Sequence, residues 1–268
     1  MDKPICYSHI GKRPNHEDNF LINSLYLTSD LQKQMPDNRY CFASESAPSQ
    51  VRLFAISDGM GGHNAGEVAS LICVEKLLLA QRELQHYTSL DAAVSYLQTV
   101  IAEINNTVCE QSQKNADLKG MGATLVLFVL CGVKCAVLNI GDSRAYHYNN
   151  GSLVRITKDH TEGQRMLDLG LLTRKELFGF PARKNLNRYI GYRQNGYVLQ
   201  ADEYYPTLEN GVILLCSDGI SDFLSDTRIA EILSSESDLE IAGKQLIDEA
   251  IVSHKADNAT VMLIPLRR

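Results

Sequence analysis

The chain has no excess of basic residues. Its 26 Lys and Arg stand against 32 Asp and Glu in 268 residues, a net charge of −6, so the basic face of a nucleic-acid binder is not expected. With only seven prolines and 18 glycines it is no fibrous repeat, and it holds no tandem repeat or low-complexity tract. The opening MDKPICYSHIGKRP has no apolar core of signal-peptide length. The most apolar stretch, Ala123–Ile140, is interrupted by Gly132 and Lys134 and reads as two buried strands joined by a turn, not as a membrane span. No Gly-x-x-x-x-Gly-Lys-Ser/Thr phosphate loop occurs. The Gly-rich turn from Asp58 fails as a dinucleotide fingerprint because Asn64 stands where the third glycine should fall, so a nucleotide-dependent kinase or ATPase is disfavoured. Cysteine is present in an odd number, seven, and Cys73, Cys131, Cys135 and Cys216 lie inside apolar runs. That usage predicts buried reduced thiols and a cytoplasmic location, with Cys131 and Cys135 the pair whose spacing would allow a bond or a metal.

What remains is an ordinary globular balance, 44% hydrophobic, in a chain long enough to bury a large core. Strand-like runs occur at Val51–Ser57, Ala123–Cys131, Lys134–Ile140, Arg144–Tyr148, Ser152–Thr157, Val212–Ser217 and Ala259–Leu266. Helical periodicity covers Ala65–Leu84, Ser89–Lys114 and Ile229–Ser253, the last with a break near Ser234–Asp238. This order is not a regular βα alternation; it predicts an α+β fold of antiparallel sheets covered by helices. Two segments, 28–50 and 161–206, read as insertions.

Acids recur at strand ends. Val51–Ser57 runs into Asp58-Gly59, Val212–Ser217 into Asp218-Gly219, and Val137–Ile140 into Gly141-Asp142, while Asp257-Asn258 opens the last strand. A single Asp-Gly is a turn. Four acids at the tips of buried strands would repel one another unless a cation sat between them. With hard oxygen ligands and no His or Cys at matching spacing, the chemistry suits Mg²⁺ or Mn²⁺. Two such ions sharing carboxylates would acidify a bridging water and supply a nucleophile for phosphate-ester hydrolysis. Near the N-terminus, Arg13 offers a planar fork for a phosphate, and Glu17 and Asp18 add two carboxylates.

In order along the chain, Arg13 with NHEDNF, AISDGMGGHNAGEVAS (55–70), MGATLV (121–126), NIGDSRAY (139–146), ITKDHT (156–161), LLCSDGISD (214–222) and DNATVMLI (257–264) together resemble the metal-dependent Ser/Thr protein phosphatases of the PPM (type 2C) family, in their compact bacterial form. The resemblance implies one domain over 1–268, a four-layer α-β-β-α sandwich of two antiparallel sheets, with 161–206 as a flap beside the cleft. It implies that Asp58 bridges two Mn²⁺ or Mg²⁺ ions and that the Gly59 carbonyl binds one of them. Asp218 and Asp257 would hold one ion and Glu17 the other, Asp18 would grip a metal-bound water, and Asp142 with Asp218 would form a third, weaker site. Arg13 matches the phosphate-binding arginine. The expected partners are phosphorylated protein substrates and a cognate Ser/Thr kinase, with no nucleic acid and no membrane, for a monomer regulated through partners or its own loops. The chain departs from the eukaryotic pattern at Met60, where a His general acid would stand; His63 or a water is left as the proton donor. A weakly active relative that binds phosphorylated partners, or a hydrolase of small phosphate esters, would use the same residues.

Overall fold

The computed structural model describes residues 3–28, 30–31, 39–43, 50–61, 65–193, 196, 198–207 and 210–266. Among them, one antiparallel sheet has the order β3 (Arg39–Ala43), β1 (Ile5–His9), β12 (Ala259–Leu266), β11 (Gly211–Cys216), β8 (Arg144–Asn149), β9 (Ser152–Arg155). The other runs β10 (Asp202–Tyr204), β7 (Lys134–Ile140), β6 (Leu125–Cys131), β4 (Val51–Met60), β2 (Asp18–Ile22), with the two-residue β5 (Gly122–Ala123) beside the end of β4. Helices α1 (Ala65–Glu83) and α2 (Leu90–Lys114) pack on the second sheet, and α6 (Asp226–Ser235) and α7 (Leu239–Ala250) on the first. Shorter α-helices among the described residues include α3 (Glu162–Asp168), α4 (Arg174–Leu177) and α5 (Asp218–Ser221).

The central strands are apolar on both faces because both faces are covered. Along β4, Leu53 and Ala55 point to the α1 and α2 side while Phe54 and Ile56 point into the space between the sheets. On β11, Leu214 and Cys216 face the α6 and α7 side, and Ile213 and Leu215 face the opposite sheet. This period of two across a doubly covered sheet gives the unbroken apolar runs seen in the sequence. Each fully buried Leu, Ile, Val or Phe in these layers contributes about 1.5–3 kcal/mol. The result is the expected α-β-β-α sandwich.

Leu125–Cys131 and Lys134–Ile140 form strands joined at a tight turn, whereas Ala123, expected in the first of them, belongs to β5 across the break at Thr124. The cysteines at the flanks of that turn, like the other five, are free, so no bond joins Cys131 to Cys135. The helical stretch over Ile229–Ser253 breaks where the sequence places the break: α6 ends at Ser235 and α7 restarts behind Asp238, whose side chain accepts from the Glu240 N–H. The segment 28–50, read as an insertion, contributes β3 at the sheet edge beside β1; residues 29, 32–38 and 44–49 of it lie outside the described residues.

Candidate active site

The sandwich brings the acidic strand ends to one rim. Arg13, Glu17, Asp58, Gly59, Asp142, Asp218 and Asp257 all line a single cleft of about 660 Å³, together with Lys184 and Asn185 from the segment 161–206. Asp18 lies beneath it, only 1% exposed. The acids expected at the site, with Arg13 and Gly59, are therefore brought to one place. His63, the expected alternative proton donor, lies outside the described residues. Met60 lines the cleft and carries no proton to give.

Asp18 on β2 pairs directly opposite Asp58 on β4. Like charges directly opposite on a sheet are destabilising, so this register needs a counter-charge or a proton. Asp18 Oδ2 accepts hydrogen bonds from the hydroxyls of Ser217 and Thr260, each at 2.7 Å. Its other oxygen, Oδ1, is buried and receives no hydrogen bond among the described residues. Burial pushes the Asp18 carboxyl up to about 6, against the downward pull of the two hydroxyls. Asp58 and Asp218 are pushed well above the ordinary carboxylate range, first by burial and then by the surrounding acids. Burial, with Asp159 and Asp222 adding, raises Asp142 to about 7; burial also raises Glu17 to about 7, although Arg13 pulls it down.

A web of backbone and hydroxyl contacts holds these acids. The Asp58 N–H donates to Thr124 Oγ1 at 3.0 Å, and the Thr124 N–H returns a bond to the Asp58 carbonyl at 2.8 Å. Thr124 Oγ1 also meets Ser143 Oγ at 2.6 Å, tying the turn after β7, which carries Asp142, to the end of β4. Asn258 accepts from the Glu17 N–H at 2.7 Å and donates to the carbonyls of Ile10 and Asn15, so the residue after Asp257 anchors the loop bearing Arg13 and Glu17. Close backbone approach completes the frame: a Cβ on Gly59 would stand 2.1 Å from the Gly66 carbonyl oxygen. Thr124, Ser217, Asn258 and Thr260 were absent from the residues expected at the site. All four sit inside its motifs, immediately beside the apolar positions.

The acids are gathered but not closed into a finished coordination set. Among the described residues, no three Asp, Glu, His or Cys side chains already stand in metal-holding geometry, and Arg13 makes an ion pair with Asp257. The donor set nonetheless fits a hard divalent cation. It offers all-oxygen ligands, a buried carboxylate oxygen on Asp18 without a donor, and several carboxyls whose charge is opposed by burial and by one another.

The family model for protein phosphatase 2C matches residues 28–246. The chain belongs to the protein phosphatase 2C family. It is a metal-dependent Ser/Thr protein phosphatase of that group, also called PPM. This phosphatase is 32% identical over 213 residues to the serine/threonine phosphatase stp of Listeria monocytogenes, covering 79% of this chain and 83% of that one. It is 34% identical over 225 residues to the serine/threonine protein phosphatase PstP of Mycobacterium tuberculosis, across 82% of this chain and 41% of that longer protein. Among solved structures, a bacterial serine phosphatase superposes with a TM-score of 0.81 at 27% identity, covering 100% of this chain and 98% of that one. The catalytic domain of PstP in complex with two manganese ions superposes with a TM-score of 0.75 at 28% identity, covering 99% of this chain and 100% of that one. No helix of the phosphatase, among its described residues, is long and apolar enough to cross a membrane.

Proposed function

We propose that this phosphatase removes phosphate from phosphoserine and phosphothreonine in proteins, as a one-domain monomeric cytoplasmic enzyme opposing a Ser/Thr kinase. Glu17, Asp58, the Gly59 carbonyl, Asp218 and Asp257 would hold two Mn²⁺ or Mg²⁺ ions, with Asp142 and Asp218 forming a third, weaker site. The observation that carries this reading is the directly opposed Asp18–Asp58 pair, at a cleft that Glu17, Asp142, Asp218 and Asp257 also line. Such an arrangement is tolerable only when its charge is neutralised.

When bound, the divalent ions would supply an acidified water as nucleophile and offset charge on the phosphoryl oxygens. The remaining work falls to side chains. Arg13, partly exposed at the mouth, pairs with Asp257 through one guanidinium nitrogen, and its planar fork would be offered to a phosphate dianion. Asp18, held at Oδ2 by two hydroxyls, has Oδ1 left over and would accept a hydrogen bond there from a water. With Met60 in the cleft, the proton for the leaving oxygen comes from water or from a residue other than position 60. Direct attack by water, with no phosphoenzyme, is the expected course.

The test is Mn²⁺-dependent phosphate release from phosphothreonine peptides, p-nitrophenyl phosphate and a phosphodiester, measured side by side. Release from the peptides, abolished by Asp58→Asn or Asp218→Asn, is expected. Wild-type rates for Asp218→Asn, or activity on the phosphodiester alone, would overturn the reading.

A further inference from the structure

The segment 161–193 carries seven Lys and Arg against three acids, a net of +4 in a chain whose net is −6. It forms one wall of a side chamber of about 170 Å³, whose lining shares Asp142, Asp218 and Lys184 with the main cleft. Leu177, Phe178, Arg183 and Lys184 line the chamber from this segment. Phe178, 83% exposed, has no apolar cover.

Most charges around the chamber are already matched. Asp159 is gripped by the Arg144 guanidinium at 2.8 and 3.1 Å and also by Arg155, while Lys184 pairs with Asp222. Asp142 and Asp218 belong to the deep end shared with the cleft. Arg183 differs: its backbone N–H bonds to the Phe180 carbonyl, but its exposed guanidinium makes no ion pair or hydrogen bond among the described residues. An uncommitted cation beside an uncovered aromatic ring, one chamber away from the proposed phosphate position, is complementary to an acidic side chain with an apolar stem.

We infer that Arg183 and Phe178 form a specificity pocket that takes an acidic residue close in sequence to the phosphorylated Ser or Thr of a protein substrate. The inference rests on the cleft being the phosphatase site. The Lys184–Asp222 ion pair joins this wall to the residue that caps the end of α5 and so keeps Arg183 beside the cleft. A basic residue at the same position of the substrate would meet Arg183 as a like charge and be selected against.

The experiment measures kcat and KM on three phosphothreonine peptides that differ only in acidic, neutral or basic flanking residues, with wild type, Arg183→Glu and Arg183→Lys. Wild type is expected to prefer acidic over neutral over basic flanks. Arg183→Glu should shift the acidic-to-basic ratio of kcat/KM by about 3- to 10-fold, the scale of a partly exposed charge pair, and the shift should lie in KM. Arg183→Lys should keep the wild-type order, which a merely folded-state role for Arg183 would not require. An unchanged flank ratio in Arg183→Glu, or a change confined to kcat, would overturn the inference. Asp58→Asn assayed on p-nitrophenyl phosphate, a substrate without flanks, reports separately on the site itself.

Discussion

Replacing Asp18 by Asn should stabilise the metal-free phosphatase at alkaline pH. Burial raises the Asp18 carboxyl from its ordinary 3.8 to about 6. A raised folded-state pKa means that the bound proton stabilises the fold. That contribution is fully present below about pH 3.8 and is lost as pH rises through about 6. Above about pH 7 the ionised Asp18 costs about 3 kcal/mol relative to an unburied carboxylate, and at pH 5 about half of that. The amide of the Asp18→Asn variant keeps an acceptor for Ser217 and Thr260 but loses the charge assistance, a loss of about 1 kcal/mol. The net gain at pH 8 is about 2 kcal/mol, or about 4–8 °C in Tm for a chain of this size, and at pH 5 it shrinks to about 0.5 kcal/mol. Thermal melts in EDTA at pH 5 and pH 8 provide the assay. With saturating Mn²⁺ the sign should reverse, because the wild-type site gains more from the ion than the variant does. An Asp18→Asn protein less stable than wild type at pH 8 in EDTA, or a difference that does not change from pH 5 to pH 8, would refute the reasoning.

Other changes should separate binding from framework. Arg13→Ala should raise KM for phosphopeptides by about 10-fold or more, the scale of a charge-assisted hydrogen bond, with a smaller effect on kcat; a KM equal to wild type would remove Arg13 from phosphate binding. Gly219→Ala should destabilise the fold by about 1–3 kcal/mol as an overpacked site, because a Cβ there would stand 1.9 Å from the Asn258 carbonyl oxygen; denaturant melts identical to wild type would contradict the close packing of α5 against the start of β12.

The doubly covered strands were legible because burial on both faces leaves no polar alternation, and Lys134–Ile140 and Ala259–Leu266 were placed residue for residue. Ile5–His9 and Arg39–Ala43 carry no comparable strand signal in the sequence. They are five residues each, and β1 is defined by pairing with β12, more than 200 residues away, which no local window holds. In Asp18–Ile22 the carboxylate is plain in the sequence, but the strand register that sets Asp18 opposite Asp58 arises only from pairing with β4. At the site, the acids announced themselves by repetition, whereas Ser217 and Thr260 are ordinary polar residues until the β11–β12 pairing brings both onto Asp18. The positive charge of 161–193 was countable from composition alone. Its meaning depends on the chamber wall that it forms, which only the folded chain supplies.

The central claim is that the acids at this sandwich rim exist to hold divalent ions. Crystals grown with Mn²⁺, measured above and below the manganese absorption edge, test it directly. The account predicts two anomalous peaks in the cleft, one ion within coordination distance of Glu17, the other near Asp218 and Asp257, with Asp58 between them, and Arg13 no longer paired with Asp257. Manganese bound only elsewhere on the protein, with the Asp18–Asp58 pair unaltered, would contradict it.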